Sequence, residues 1–243
     1  MNTMTDIRGI LFDYGGTIDT GARHWAHVIW EGYQKAGIEV ENAEFREAYV
    51  FGERALAKAP IILPTDNFPT LLQKKLDIET QYLADHNLWQ VSATERKEKS
   101  DEAARYCAEY AQRTVAESRI TVQKLSEHYP LVLVSNFYGN IGTILEDYHL
   151  KEFFPIVIES AVVGIRKPDP AIFQLGVDAL HLRPEEVLVV GDSFGKDILP
   201  AHSLGCRTAW MKGEGWDANE KVDEQIPDHI IYELKELETL YLL

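Results

Sequence analysis

The sequence predicts an α/β protein with a parallel β-sheet core and an inserted all-helical domain. Short runs that are apolar at nearly every position occur near residue 10 and again throughout the second half of the chain, as buried parallel strands require. Residues 13–130 separate the first run from the second, and most of that segment has helical periodicity. A segment of this length is too long for a simple connection between two strands, so it predicts a second domain.

Six strands are predicted from the apolar runs. The first contains Ile7, Ile10, Leu11 and Phe12 and ends at Asp13 and two glycines. The later strands are expected at LVLVSN (131–136), IVIES (156–160), EVLVVGD (186–192), RTAWM (207–211) and HIIY (229–232). Helical patterns separate most of these runs, which favours a parallel sheet covered on both faces.

Helices are predicted where apolar residues recur every three or four positions. Within the inserted segment these stripes lie at residues 25–33, 45–56, 72–83 and 104–115. Pro60, Pro64 and Pro69 predict a loop between the second and third stripes, and Ser92 with Glu95 forms a capping box that predicts a helix start. We therefore assign residues 20–112 to the helical domain and residues 1–19 and 113–243 to the core.

The composition restricts the possible partners. The 243 residues include 24 basic and 39 acidic side chains, a formal charge of −15 that repels nucleic-acid phosphates and anionic membranes. The N-terminus has no long apolar stretch, and no segment reaches the ~18 apolar residues of a membrane span. Cys107 and Cys206 match no metal-ligand or disulfide pattern. We expect a cytoplasmic monomer or homodimer that binds a small molecule, with neither nucleic acid nor a membrane as a partner.

Polar residues follow several predicted strands, at the edge where an open α/β sheet binds its ligand. Asp13, Ser135 with Asn136, and Asp192 come at three strand ends, and Lys167 follows a fourth. Carboxylates are ligands for Mg²⁺, which retains waters and also binds substrate phosphate. A lysine and a hydroxyl group can stabilise charge on a phosphoryl group. Together these residues predict a site for a divalent cation and a phosphate.

Four motifs, in this order, resemble those of the haloacid dehalogenase (HAD) superfamily of phosphotransferases and dehalogenases. They are DYGGTIDT, LVLVSN, the lysine of GIRKPDPAIF, and GDSFGKDILPAHSLG, and they extend from residue 8 to about residue 212. The resemblance implies a Rossmann-like core and a helical cap, inserted after the first motif, that closes over the site and selects the substrate. It also implies a Mg²⁺-dependent phosphatase that acts on a small phosphorylated metabolite.

The resemblance assigns roles by position in the motifs. Asp13 would be the nucleophile that forms an aspartyl-phosphate, and Asp13, the Gly15 carbonyl and Asp192 would hold Mg²⁺. The other positions concern the phosphoryl group and its surroundings. Ser135, Asn136 and Lys167 would bind the phosphoryl group, Asp197 would orient Lys167 or the waters on the metal, and Arg54 and His24 of the cap would recognise the substrate.

Gly15 departs from the family's pattern. Most phosphatases of this family have a second aspartate at this position, which protonates the leaving oxygen and then deprotonates the attacking water. Glycine can do neither, although its carbonyl can still bind a metal. Because general acid–base catalysis contributes ~10²–10⁴-fold, we expect slow turnover of ordinary alkyl phosphates unless another group, such as Asp19 or His24, replaces the missing acid.

Three alternatives to a small-metabolite phosphatase stay open at this level. The missing acid is compatible with a phosphate-binding protein that has lost turnover. Phosphonatase-like members also lack this acid and use a cap lysine to form a Schiff base; here Arg54 occupies the matching position, and Lys58 lies one turn later. Haloacid dehalogenation is the least favoured alternative, because Asp19 and the acids of GDSFGKD fit metal and phosphate binding.

Overall fold

A six-stranded parallel sheet forms the core in the computed structural model, which describes residues 6–58, 60–216 and 221–242. The strands are β1 (Gly9–Phe12), β2 (Leu131–Ser135), β3 (Ile156–Glu159), β4 (Val187–Gly191), β5 (Arg207–Met211) and β6 (His229–Ile231). They lie in the order β3-β2-β1-β4-β5-β6, and every neighbouring pair is parallel. Each strand falls within one of the predicted apolar runs, so the predicted α/β fold class is confirmed.

The central strand β1 is buried on both faces, which explains why its residues are apolar without alternation. Leu11 pairs with Val132 on one side and Val189 on the other, and it packs on one face of the sheet. Ile10 and Phe12 point to the opposite face and join a second core cluster. Successive side chains of a strand alternate between faces, so a strand covered on both sides must be apolar throughout.

Helices cover both faces of the sheet within the described residues. They are α1 (Trp25–Lys35), α2 (Asn42–Lys58), α3 (Phe68–Asp85), α4 (Ala93–Ser126), α5 (Ile141–Asp147), α6 (Ser160–Val163), α7 (Ala171–Leu180), α8 (Leu199–Ser203) and α9 (Glu236–Tyr241). Helices α1 to α4 make up most of the segment between β1 and β2. No helix of the described residues is both long and apolar enough to cross a membrane.

Two local predictions in the helical segment need correction. Pro69 belongs to the first turn of α3 and not to the preceding loop; Asn67 caps this helix by accepting from the Thr70 N–H at 3.0 Å. Proline is tolerated there because the first N–H groups of a helix have no partner within it. Helix α4 begins after Ser92 as predicted and continues unbroken to Ser126, so the predicted domain boundary at residue 112 lies inside a helix.

Helix α4 also ties the helical segment to the loop that follows β1. The Ser118 hydroxyl donates to the Ile18 carbonyl at 2.9 Å, and the Tyr110 hydroxyl donates to the Thr20 carbonyl at 3.2 Å. Buried side chains of α1 to α4 continue into the cluster that contains Ile10 and Phe12. The division into core and cap stays a prediction, and what the structure establishes is that the helical segment packs directly over the end of β1.

The buried face of α1 provides a stability prediction. Ile29 is fully buried, whereas Ile120 on α4 is 59% exposed. Ile29→Ala should lower the free energy of unfolding by about 2–5 kcal/mol, because it removes buried methyl groups and leaves a cavity. Ile120→Ala, the matched control, should change it by less than about 0.5 kcal/mol. Urea denaturation measures both values, and equal losses would contradict the described packing.

Candidate active site

Adjacent strands bring the predicted polar residues together at the carboxyl edge of the sheet. Asp13 follows β1, Ser135 ends β2 and Asp192 follows β4, and β1 lies between the other two strands. Lys167 reaches the same place from the loop before α7, and Asp197 from a single π-helical turn, Phe194–Ile198. All five line one cavity of about 760 Å³ between the sheet edge and the helical segment.

Lys167 joins two carboxylates in the floor of this cavity. Its Nζ atom lies 2.6 Å from Asp13 Oδ1 and 2.7 Å from Asp197 Oδ1, and all three side chains are buried. The second Asp197 oxygen accepts from the Ser193 N–H at 3.0 Å. Burial alone would lower the pKa of Lys167, but the neighbouring Asp13 and Asp197 raise it. The ammonium is therefore charged and held in one orientation.

Thr17 is a site residue that the sequence prediction missed, although it lies within the first motif. Its hydroxyl donates to Asp13 Oδ2 at 2.9 Å and accepts from the Asp192 N–H at 3.0 Å. The hydroxyl thus joins the loop after β1 to the loop after β4. With Lys167 on the other oxygen, both Asp13 oxygens have hydrogen-bond partners that fix the carboxylate.

Two glycines leave the room that the acidic side chains occupy. A Cβ on Gly16, where φ is +99°, would lie 2.4 Å from Asp192 Oδ2. A Cβ on Gly191 would lie 2.4 Å from the Cβ of Asp197. Gly15 differs from both, because a Cβ there would meet no atom within 4 Å. The Cβ atom of a side chain at position 15 would therefore meet no steric obstacle.

The carboxylates of the floor fit a divalent cation. Asp13, Asp192 and Asp197 offer oxygen atoms within 4.8 Å of one another, with Lys167 as the cation that pairs with two of them. Burial, opposed by Lys167, raises the pKa of Asp13 to about 6, and burial next to Asp13 and Asp197 raises that of Asp192 well above its ordinary value. Clustered carboxylates, with oxygen as the donor atom, suit Mg²⁺. Asp13 and Asp197 are hydrogen-bonded on both oxygens, whereas the Asp192 side chain accepts only a longer hydrogen bond from Thr17, at 3.4 Å, among the described residues. Asp192 therefore has the most free capacity for a metal, and the part of Asp13 in metal binding stays a prediction.

The predicted phosphate ligands differ in their surroundings. Ser135 is buried and lines the cavity beside Asp13. The side-chain amide of Asn136 also lines the cavity, but it exchanges two hydrogen bonds with the backbone of Lys167. Asn136 Nδ2 donates to the Lys167 carbonyl at 3.0 Å, and Asn136 Oδ1 accepts from the Lys167 N–H at 2.9 Å. These two hydrogen bonds hold the backbone of Lys167 in place, and a contact of Asn136 with phosphate stays a prediction.

Neither candidate replacement for the missing acid is placed to transfer a proton. Asp19 accepts from the Gly16 N–H at 2.7 Å and from Trp25 Nε1 at 2.9 Å; it does not line the cavity, and burial raises its pKa to about 8. His24 does line the cavity. Its Nδ1 accepts from the Ala26 N–H at 3.2 Å, and burial, with smaller effects from neighbouring lysines, lowers its pKa to about 3. His24 is thus a neutral hydrogen-bonding group at pH 7.

Arg54 and Lys58, the two cap cations considered above, have different positions. Arg54 is exposed and lines the cavity, as a substrate-recognising residue would. Lys58 is exposed and does not line it. The lysine that reaches the cavity from the helical segment is Lys75 of α3, which the sequence prediction missed.

Lys75 belongs to a buried polar cluster on the helical side of the cavity. It forms an ion pair with Glu53 of α2, and its Nζ lies 4.3 Å from the centre of the Tyr49 ring. The Tyr138 hydroxyl, from the loop after β2, donates to Glu53 Oε2 at 3.0 Å. Burial alone would lower the pKa of Lys75, but Glu53 and its other neighbours raise it well above its ordinary value.

The fixed Asp13 carboxylate and the buried Lys167 lie at the carboxyl edge of a doubly covered parallel sheet, the edge at which open α/β sheets bind their ligands. The family model of haloacid dehalogenase-like hydrolases matches residues 7–205. The chain therefore belongs to the haloacid dehalogenase-like hydrolases, as its motifs implied.

Individual proteins of known name show the same relationship. The chain is 27% identical to a phosphoglycolate phosphatase of Photorhabdus laumondii, over 95% of this chain and 91% of that protein. It is 34% identical to a glyceraldehyde 3-phosphate phosphatase of Pyrococcus furiosus, but over only 36% of this chain and 37% of that protein. The solved structure of YfnB from Bacillus subtilis, bound to magnesium, has a TM-score of 0.61 at 19% identity and covers 98% of this chain and 100% of that one. This last likeness establishes the shared fold.

Glu79 gives a pH prediction, because it lies fully buried one turn from Lys75. Burial, opposed by Lys75, raises its pKa from 4.5 to about 7. Between pH 4.5 and about pH 7 the folded state keeps a proton on Glu79 that the unfolded state has lost. The free energy of unfolding therefore falls as the pH rises through this range, by about 3 kcal/mol in total. Glu79→Gln should remove this loss and make the variant the more stable protein at pH 8.

Urea denaturation at pH 5 and pH 8 measures the effect of Glu79→Gln. The control is Glu98→Gln, at an exposed position of α4, which should unfold with the pH dependence of the unmodified chain. A Glu79→Gln variant with unchanged pH dependence would contradict the described burial of Glu79.

Proposed function

We propose that this chain is a Mg²⁺-dependent phosphohydrolase that acts on a small phosphorylated metabolite through an aspartyl-phosphate on Asp13. The observation that carries the proposal is the arrangement of Asp13, whose two oxygens are held by Lys167 and Thr17 beside Asp192. The names of the relatives support it, since two of them are phosphatases of small phosphorylated compounds.

The reaction would use the residues of the cavity floor. An Asp13 oxygen attacks phosphorus, the bond to the leaving oxygen breaks, and the electron pair departs with that oxygen. Lys167, fixed by Asp197, offsets negative charge on the phosphoryl oxygens, and the Ser135 hydroxyl donates to one of them. A Mg²⁺ ion held by Asp13, Asp192 and the Gly15 carbonyl would supply further charge neutralisation. Water then attacks the aspartyl-phosphate and releases phosphate, which restores the Asp13 carboxylate.

The absence of an acid at position 15 restricts the leaving group. His24 is neutral near pH 7, because its pKa is about 3, and is therefore a poor proton donor to a leaving group, and Asp19 lies outside the cavity. A leaving oxygen of low basicity departs without a proton, whereas an alkoxide requires one. We therefore expect aryl and acyl phosphates to react faster than alkyl phosphates of similar size.

The alternative functions have weaker support. A phosphonatase-like Schiff base requires a neutral amine at the cavity, but Lys58 does not line it and Lys75 is held as an ammonium by Glu53. A phosphate-binding protein without turnover would use Lys167 in the same way, but relatives of the chain that are phosphatases by name favour turnover. Dehalogenation leaves the Asp192 carboxyl group without a role.

Asp13→Asn tests the nucleophile. Hydrolysis of 4-nitrophenyl phosphate with Mg²⁺ should fall to the background rate, because an amide cannot form the phosphoryl intermediate. The matched control is Asp169→Asn, an exposed aspartate near the site whose side chain accepts only from the Ala171 N–H among the described residues. It should retain activity. Activity that survives in Asp13→Asn, or that chelation of divalent cations leaves unchanged, would contradict the proposal.

Gly15→Asp tests the missing acid. A Cβ at position 15 meets no atom within 4 Å, and the new carboxyl group supplies the missing proton donor, so alkyl phosphate hydrolysis should rise by up to ~10²–10⁴-fold, with a smaller gain for 4-nitrophenyl phosphate. Gly15→Ala fills the same space without a proton donor and should show no gain. Initial rates on both substrates provide the measurement, and equal gains on the two would contradict a role in leaving-group protonation.

A further inference from the structure

The ion pair of Lys75 and Glu53 is the feature of the cavity that the proposed reaction does not use. Both residues line the same cavity as Asp13, but they come from α3 and α2 of the helical segment. Lys75 is only 4% exposed, and burying a lysine is costly unless its charge and hydrogen bonds are satisfied. A buried lysine that pairs with a half-exposed glutamate at a cavity wall is thus a candidate for ligand binding.

Both members of the pair have unused hydrogen-bonding capacity. The ammonium of Lys75 carries three N–H donors, and Glu53 is its one hydrogen-bond acceptor among residues 6–58, 60–216 and 221–242. In the same part of the chain, Glu53 Oε2 accepts only from the Tyr138 hydroxyl. Since a carboxylate oxygen can accept more than one hydrogen bond, a ligand could accept from Lys75 and donate to Glu53 at the same time.

The local charge selects the kind of ligand group. Glu79 lies one turn from Lys75 on α3 and contributes a second carboxyl group, with a pKa of about 7. The net charge of Glu53, Lys75 and Glu79 is therefore between 0 and −1 near neutral pH. An added carboxylate would be repelled by Glu53, whereas a hydroxyl group is neutral and can both donate and accept.

The surrounding surface suits a polyhydroxylated ligand. Tyr49 and Trp216 stack on each other at 5.3 Å between ring centres, and both line the cavity with Tyr138. The Tyr49 ring also contacts Lys75, and the Trp216 ring also contacts the Arg46 guanidinium, so the two rings form a fixed part of the wall. Apolar and aromatic walls with a few fixed polar groups are typical of small-molecule sites, and the polar groups orient the ligand. The cavity has a volume of about 760 Å³.

We infer that Lys75 and Glu53 bind hydroxyl groups of the leaving group, and that the substrates are phosphorylated sugars or polyols and not phosphorylated carboxylic or amino acids. This inference rests on the proposed phosphohydrolase function. It assigns substrate recognition to residues of α2 and α3, away from the phosphoryl-binding floor.

The substrate preference of the unmodified chain tests the inference directly. We expect kcat/KM for hexose and polyol phosphates to exceed that for phosphoglycolate and phosphoserine by at least about tenfold. Preference for either acid would overturn the inference while leaving the phosphohydrolase proposal intact. 4-Nitrophenyl phosphate, which lacks hydroxyl groups, serves as the reference substrate: absence of Mg²⁺-dependent, Asp13-dependent turnover on it and on all the others would overturn both.

Lys75→Met tests whether Lys75 itself recognises the hydroxyl groups of the substrate. The ratio of kcat/KM on the best sugar phosphate to that on 4-nitrophenyl phosphate should fall by about 10- to 100-fold, as for loss of a hydrogen bond to a charged group. Lys74→Met is the matched control, because Lys74 pairs with Asp66 and does not line the cavity; its ratio should not change. An equal loss on both substrates in Lys75→Met would overturn the inference, since a purely structural role predicts that result.

A double variant guards against misfolding of Lys75→Met, which leaves Glu53 without its cation. Lys75→Met combined with Glu53→Gln removes both charges and should keep the melting temperature closer to that of the unmodified chain. Its substrate ratio should fall at least as far as that of the single variant. An unchanged ratio in the folded double variant would overturn the inference.

Discussion

The buried lysine between two aspartates is the interaction on which the site depends. Lys167 contacts Asp13 and Asp197, and without it neither of these two carboxylates would have a cation paired with it among the described residues. Removing one member of a buried ion pair is strongly destabilising because it leaves an uncompensated charge. Lys167 therefore positions the Asp13 carboxylate, and the excess of negative charge that remains is what a divalent cation would neutralise.

The surrounding backbone is shaped to hold these acids in place. Gly16 and Gly191 lack the Cβ atoms that would collide with Asp192 and Asp197, and the Thr17 hydroxyl joins the loops that carry Asp13 and Asp192. Gly15 is different, because it leaves open space where a side chain would fit. The site thus combines a firmly held Asp13 carboxylate, the proposed nucleophile, with an open position at residue 15 that carries no proton donor.

The sheet edge and the helical segment line the cavity with different arrangements of charge. The sheet edge carries the acids and Lys167, which suit a cation and a phosphoryl group. The helical segment carries Lys75 paired with Glu53, whose balanced charge suits neutral hydroxyl groups. Both surfaces face one cavity because α4 ties the helical segment to the loop after β1, and Tyr138 of the core donates a hydrogen bond to Glu53.

The sequence by itself determined the six strands, the main helices and the positions of Asp13, Ser135, Lys167 and Asp192, since buried parallel strands are continuous apolar runs and the residues that follow them meet at one edge. Only the tertiary structure brought Lys75 and Glu53 together. On isolated helices they are ordinary polar residues, and the burial of Lys75 beside Glu53 arises from the packing of α2 against α3 around Tyr49. The tertiary structure also decided the shifted pKa values of His24 and Asp19. Burial is the main cause of both shifts, and it depends on neighbours that are distant in the chain.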